Sequence, residues 1–138
     1  MGVISTDKNK ITLIYNSETS LGKQTNAYIQ ASENDILTLD TAKTKITGTQ
    51  WIEILEGLAV KIEDIIDKEH PNFSSEYSTD VQLDTHDWLK ILDKSPEVLA
   101  YSILIKGNKF HLLRDPSDFI RYMEPDSKGV SRNPSEKE

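Results

Sequence analysis

The residues best placed to do chemistry lie in one short run. The stretch "ITLIYNSETSLGKQT", residues 11 to 25, passes from an apolar segment through a small polar loop into a helical pattern. A strand, a loop and a helix start make a common frame for a reactive side chain, because the first backbone N–H groups of a helix favour negative charge. The loop offers Asn16, Ser17, Glu18, Thr19 and Ser20, and no cysteine, histidine or arginine. Hydroxyls in that position cap helices or share hydrogen bonds; without an adjacent base they are poor nucleophiles near neutral pH. The chain has no cysteine at all, which removes disulfides, thiolate metal sites and thiol catalysis together.

Elsewhere the chemistry-bearing residues are dispersed. His70, His86 and His111 fall in separate segments. His86, between Asp84 and Asp87, has neighbours of metal-ligand type, but a helix start and a solvated surface explain all three residues, so no metal and no cofactor is expected. No nucleophile elbow and no glycine-rich phosphate loop occurs.

Charge narrows the partners. The net charge of -7 argues against a phosphate-backbone binder, which needs clustered Lys and Arg, so no direct nucleic-acid contact is expected. Between Glu53 and Glu97 there are 12 acidic and 4 basic residues, a balance of -8, which leaves about +1 for the rest. Glu63, Asp64, Asp67 and Glu69 are the candidate positions there for meeting a protein with a basic surface. No apolar run approaches the roughly 20 residues that span a bilayer, and "MGVISTDKNK" lacks the basic start and apolar core of a signal peptide. The expectation is a cytoplasmic protein without membrane contact.

The elements that must position the loop follow from periodicity. Residues 1 to 9 and 124 to 138 read as disordered ends flanking a single domain over residues 10 to 123. "ITLIY" is a buried strand; Ala27, Tyr28 and Ala31 mark a helical stripe from about Gly22 to Ser32; "DILTLD" is a second strand. Strand, helix and strand within about 30 residues is the size of a right-handed crossover. Thr47 and Gln50 form a capping box ahead of Trp51, Ile54, Leu55 and Leu58, and after a break at Gly57 a second short helix carries Val60, Ile62, Ile65 and Ile66. "HPNFSSEYSTD" reads as a loop, and Asp84 or Thr85 caps a helix whose Trp88, Leu89, Ile91 and Leu92 face inward. "YSILIK" and "KFHLL", joined at Gly107-Asn108, form a β-hairpin, and Asp115 caps a last helix opened by Pro116. The order βαβ, helices, ββα, with four strands in a mixed sheet, is a thioredoxin-like α/β fold with a helical insertion between its halves.

On that topology the local sequences resemble the arsenate reductase family of the ArsC and Spx type, over about Ile11 to Met123. "IYNSETSLGKQT" resembles the family's Tyr-x-Asn-Pro-x-Cys loop and following helix, with Tyr15, Asn16 and Thr25 matching. "WIEILEGLAVKIEDIIDKE" resembles the helical insertion, and "LDKSPEVLAYSILIKGNKFHLLRDPSDFI" resembles the hairpin and closing helix. The resemblance implies a nucleophilic cysteine where this chain has Thr19. It implies anion-holding arginines near Asp67 and at Tyr101, and a cis-proline at Ser102. Arg114 alone matches a third arginine, with Asp115 or Asp118 as its expected carboxylate partner.

With nucleophile, two anion ligands and proline all replaced, the resemblance implies the fold without the reaction. The expectation is a noncatalytic ArsC/Spx-like protein that works by protein contact or regulation, as Spx-type relatives do, with Asn16, Thr19, Ser20, Asp67, Tyr101, Ser102 and Arg114 as vestigial-site positions and no small-molecule ligand. Thr19 is expected to cap the helix. The alternative is a glutathione- or small-anion-binding enzyme of the same fold, a transferase or reductase, using the hydroxyls of Tyr15, Thr19 and Ser20.

Overall fold

A computed structural model describes residues 10–31 and 36–123; the two ends read above as disordered, 1–9 and 124–138, lie outside the described residues. Alternation of side chains builds a four-stranded sheet from β1 (Ile11–Tyr15), β2 (Leu37–Asp40), β3 (Ser102–Lys106) and β4 (Lys109–Leu113), in the order β2-β1-β3-β4. The first pair is parallel, with Thr12 opposite Leu37 and Tyr15 opposite Asp40. The others are antiparallel, with Leu13 opposite Leu104 and Leu104 opposite His111. β1 and β3 are central and therefore apolar on both faces, which is why "TLI" and "SILI" read as unbroken buried runs. Gly107 takes φ 64° at the hairpin turn, a conformation that costs a residue without a Cβ little.

Each face of the sheet buries its own cluster. On one, Leu13, Leu104 and Leu113 meet Ile29 of α1 (Ser20–Ala31) and Phe119 of α5 (Asp118–Met123). On the other, Ile14, Ile103 and Ile105 meet α2 (Gly48–Leu58), a 3₁₀ turn at Ile62–Ile65, α3 (Pro71–Ser74) and α4 (Thr85–Lys94). Full burial of one such aliphatic side chain is worth about 1.5–3 kcal/mol, so these two clusters hold the sheet end in place.

Helix starts match the cap chemistry of the sequence. Thr47 and Gln50 form the reciprocal capping box of α2, and the Asp84 carboxylate accepts the Asp87 N–H at the start of α4. Trp51 and Trp88 are core residues: Trp88 stacks on Phe73 at 5.6 Å and donates its Nε1–H to the Leu83 carbonyl.

Four expectations need correction. The apolar segment after Gly57 forms only the 3₁₀ turn at Ile62–Ile65, because α2 ends at Ala59 in the left-handed region (φ 59°) and Lys61 restarts the chain as a cap. Gly57 is small for another reason: a Cβ there would lie 2.3 Å from the ring of Phe110 on β4. "HPNFS" is a one-turn helix rather than loop, with the His70 side chain capping the Asn72 N–H, Pro71 in the first turn and Phe73 fully buried. The last helix begins at Asp118, not Pro116, because Asp115 accepts Ser117 N–H in a tight turn while Asp118 accepts the Arg114 and Asp115 N–H groups. Finally, α1 turns Gly22, Thr25 and Ile29 inward and leaves Ala27, Tyr28 and Ala31 exposed, opposite to the stripe read from the sequence. Only the first turn demands a small residue, because a Cβ at Gly22 would stand 2.0 Å from the Asn16 carbonyl oxygen.

Candidate functional site

Where β1 ends, the chain turns into α1 through a loop held by its own groups. Asn16 is buried, and its side chain works in both directions: Nδ2 donates to Thr41 Oγ1 at 3.0 Å and Oδ1 accepts the Glu18 N–H at 2.8 Å. Its carbonyl accepts both the Thr19 N–H and the Thr19 hydroxyl, the latter at 3.0 Å. The Thr19 Oγ1 in turn accepts the Gly22 N–H at 2.9 Å. Thr19 therefore caps α1, as its residue type suggests, with its one proton committed to a carbonyl and its oxygen to an amide. Gly22 makes that turn feasible, since a Cβ on it would stand 2.0 Å from the Asn16 carbonyl oxygen. Ser20 is exposed and accepts a hydrogen bond from Gln24.

Asp40, at the end of β2, completes the loop and was not singled out from the sequence. Its Oδ1 accepts the Ser17 and Ala42 N–H groups, each at 3.0 Å. Burial works against its charge, but the hydrogen bonds from Ser17 and Ala42 and the nearby Lys43 outweigh it and hold the carboxyl below its ordinary range. Burial first, and then this carboxylate, push the Tyr15 phenol above its usual value. The signal for Asp40 was an aspartate at a strand end followed by small polar residues, the pattern of an Asx turn.

The remaining site positions gather at the same end of the sheet. Continuing the register from Ile14 opposite Ile103 sets Tyr15 level with Ser102 and Asn16 level with Tyr101, and Ser102 faces Leu113, one residue before Arg114. The Tyr101–Ser102 peptide is trans, with no cis bond among the described residues. The Arg114 guanidinium lies over the Tyr101 ring, 5.2 Å from its centroid, rather than on a carboxylate as expected; its link to Asp118 runs through its backbone N–H. Ser102 is buried, and its Oγ has no hydrogen-bond partner. Asp67 is tied to the lead-in of β3 by its N–H to the Val98 carbonyl at 2.7 Å, and its carboxylate accepts the Glu69 N–H.

The acidic positions are partly committed as well. Glu63 meets Lys68 at 3.4 Å, and Asp64 caps the Lys61 N–H, so Asp64 and Asp67 shape turns while Glu63 and Glu69 contribute charge at the surface. Among the described residues no group of three or more His, Asp or Glu could hold a metal. No helix among them is long and apolar enough to cross a membrane.

The fold defined by this sheet and its insertion is that of arsenate reductase structures. The arsenate reductase from Vibrio cholerae superposes with a TM-score of 0.69 at 11% identity, over 82% of this chain and 97% of that one. A Yersinia pestis protein proposed to be an arsenate reductase gives 0.69 at 15%, over 81% and 99%. An arsenate reductase related protein from Brucella melitensis gives 0.61 at 15%, over 82% and 93%. No family model and no curated protein matches the chain. The architecture is thus an ArsC-like thioredoxin fold, in a chain without cysteine.

Proposed function

We propose that this chain is a noncatalytic member of the ArsC-like fold that acts through protein contact, with arsenate reduction lost. The supporting observation is the self-satisfied loop: the N–H groups of Ser17, Glu18, Thr19 and Gly22 point to Asp40, Asn16 and Thr19, and the Thr19 hydroxyl is spent as a cap. An oxyanion would have to displace those acceptors beside the Asp40 carboxylate. Arg114 is held on Tyr101.

The competing reading, a glutathione- or small-anion-binding enzyme, draws on one feature, the unpartnered buried hydroxyl of Ser102. It is weakened because the Thr19 hydroxyl donates to the Asn16 carbonyl and the Asp40 carboxylate sets negative charge beside Tyr15, where a thiolate would have to sit.

Purified protein is expected to give no arsenate reduction above a protein-free blank with either glutathione or thioredoxin as electron donor; measurable turnover would overturn the first half of the reading. For the second half, the acidic turn is the binding surface and its partner is basic. A purified partner should lose affinity and salt dependence with Glu63→Gln and Glu69→Gln, which leave the turn caps intact, and further with Asp64→Asn and Asp67→Asn. Unchanged affinity in the quadruple variant would move the interface elsewhere.

A further inference from the structure

Two adjoining cavities, of about 200 and 360 Å³, open between the loop after β2 and α4. Both are bordered by Lys45, Ile46, Trp51 and Asp93, so they are halves of one groove, crossed by the Lys45–Asp93 ion pair at 2.9 Å. Its floor is apolar: Ile46 and Trp51 come from one wall and Leu89 and Leu92 from the other. Gly48 keeps it open, since it places no side chain beside Leu89; a Cβ there would just reach ordinary contact, 3.7 Å from Leu89 Cδ1.

The rim has the opposite character to the molecule. Among the lining residues, exposed Lys43, Lys45 and Lys90 stand against Asp93, a balance of +2 on a chain of -7, with the Asp40 carboxylate also near Lys43. A local positive field on a negative protein selects for carboxylates that the rest of the surface repels. The Lys45–Asp93 pair is exposed on both sides, and such pairs exchange readily for another carboxylate. The groove's volume is within the range of about 300 to 1,000 Å³ of small-molecule sites, but it is open to solvent and crossed by an exposed ion pair, which suits a chain segment better than an enclosed ligand. We propose that the groove binds an acidic peptide segment of a partner protein, seating one bulky apolar side chain on Trp51 and Leu89 with flanking carboxylates on Lys43, Lys45 and Lys90. This surface differs from the acidic turn in sign and in place, so failure of either leaves the other standing.

The test uses the full chain, ¹⁵N-labelled, and a short peptide of Asp and Glu carrying one Leu and one Phe. Two controls replace the apolar residues with Gly or the acids with Asn and Gln. The expected result is saturable shifts at the amides of Ile46 to Trp51, at the Trp51 indole N–H and at Leu89, with both controls weaker by about tenfold or more. Lys43→Glu with Lys90→Glu should weaken binding by about tenfold, Gly48→Leu should block it by filling the floor, and Asp93→Asn should tighten it by freeing Lys45. Because the lysines are exposed, their variants test the proposal even if Gly48→Leu disturbs α2. Equal binding of the Gly control, shifts confined to other surfaces, or undiminished binding in the double lysine variant would each overturn it.

Discussion

At the residue scale, what decides the site is where single protons and lone pairs go. Thr19 is an ordinary helix cap, and that role was legible because threonine before a helix start has few better uses. Beyond the Asx-turn signal at Asp40, the roles of Asp40 and Thr41 were not legible, since they enter the site through pairing of β2 with β1, about 25 residues away in sequence. Arg114 was misassigned for a related reason: sequence places carboxylates beside it, while the hairpin brings the Tyr101 ring across to it. Ser102 is the residue whose chemistry is least settled by its neighbours. A buried hydroxyl without a partner costs about 1–3 kcal/mol, so Ser102→Ala is expected to leave stability unchanged or raise it by up to about 1 kcal/mol. Urea unfolding measures this directly; a clear loss of stability would mean that the hydroxyl has a partner and the strand start is tighter than described.

At the element scale, periodicity located elements well and their faces less well. β1, β3, β4, α2 and α4 follow from alternation, helical spacing and caps that all point the same way. The face of α1 was inverted because its inner stripe is Gly22, Thr25 and Ile29, and only one of those is apolar. The α1 start is governed by the Asn16 carbonyl, which admits no side chain at residue 22, and no hydropathy pattern reports a close approach of that kind. The end of α2 shows the converse. A glycine was in the sequence near the break, yet the left-handed position is Ala59, and Gly57 serves the Phe110 ring. A non-glycine residue in that region costs about 1–2 kcal/mol. Ala59→Gly is therefore expected to stabilise the protein by about 1 kcal/mol, read as a higher urea midpoint with an unchanged slope; a lower midpoint would contradict the assigned helix end.

At the scale of the whole molecule, the sheet end and the insertion tie the sites to global stability, and pH reads that tie. Asp40 has its folded pKa below the ordinary 3.8, so the unfolded chain takes up protons first and stability is lost as pH falls from that value through the folded pKa. His111, stacked on Tyr122 at 3.9 Å, is lowered from 6.5 by burial first, and then by Lys106 and Lys109. The sign is the same: stability is full above 6.5 and falls as pH drops from there through the folded pKa. Urea midpoints against pH should decline in two stages, with Asp40→Asn removing part of the lower one and His111→Gln part of the upper one. A flat profile below neutrality would show that neither group is held as described.

The most direct test of the proposal that this loop no longer takes an anion or a thiol is a backbone amide titration of ¹⁵N-labelled protein with arsenate, phosphate and glutathione, following Asn16 to Lys23 and Tyr101 to Ile103. With the N–H groups of Ser17, Glu18, Thr19, Gly22 and Lys23 already bonded within the protein, no saturable shift is expected at those amides for any of the three ligands. Saturable shifts confined to them would mean that Asp40 and Asn16 yield to an anion, and would return the chain to the enzymes whose fold it shares.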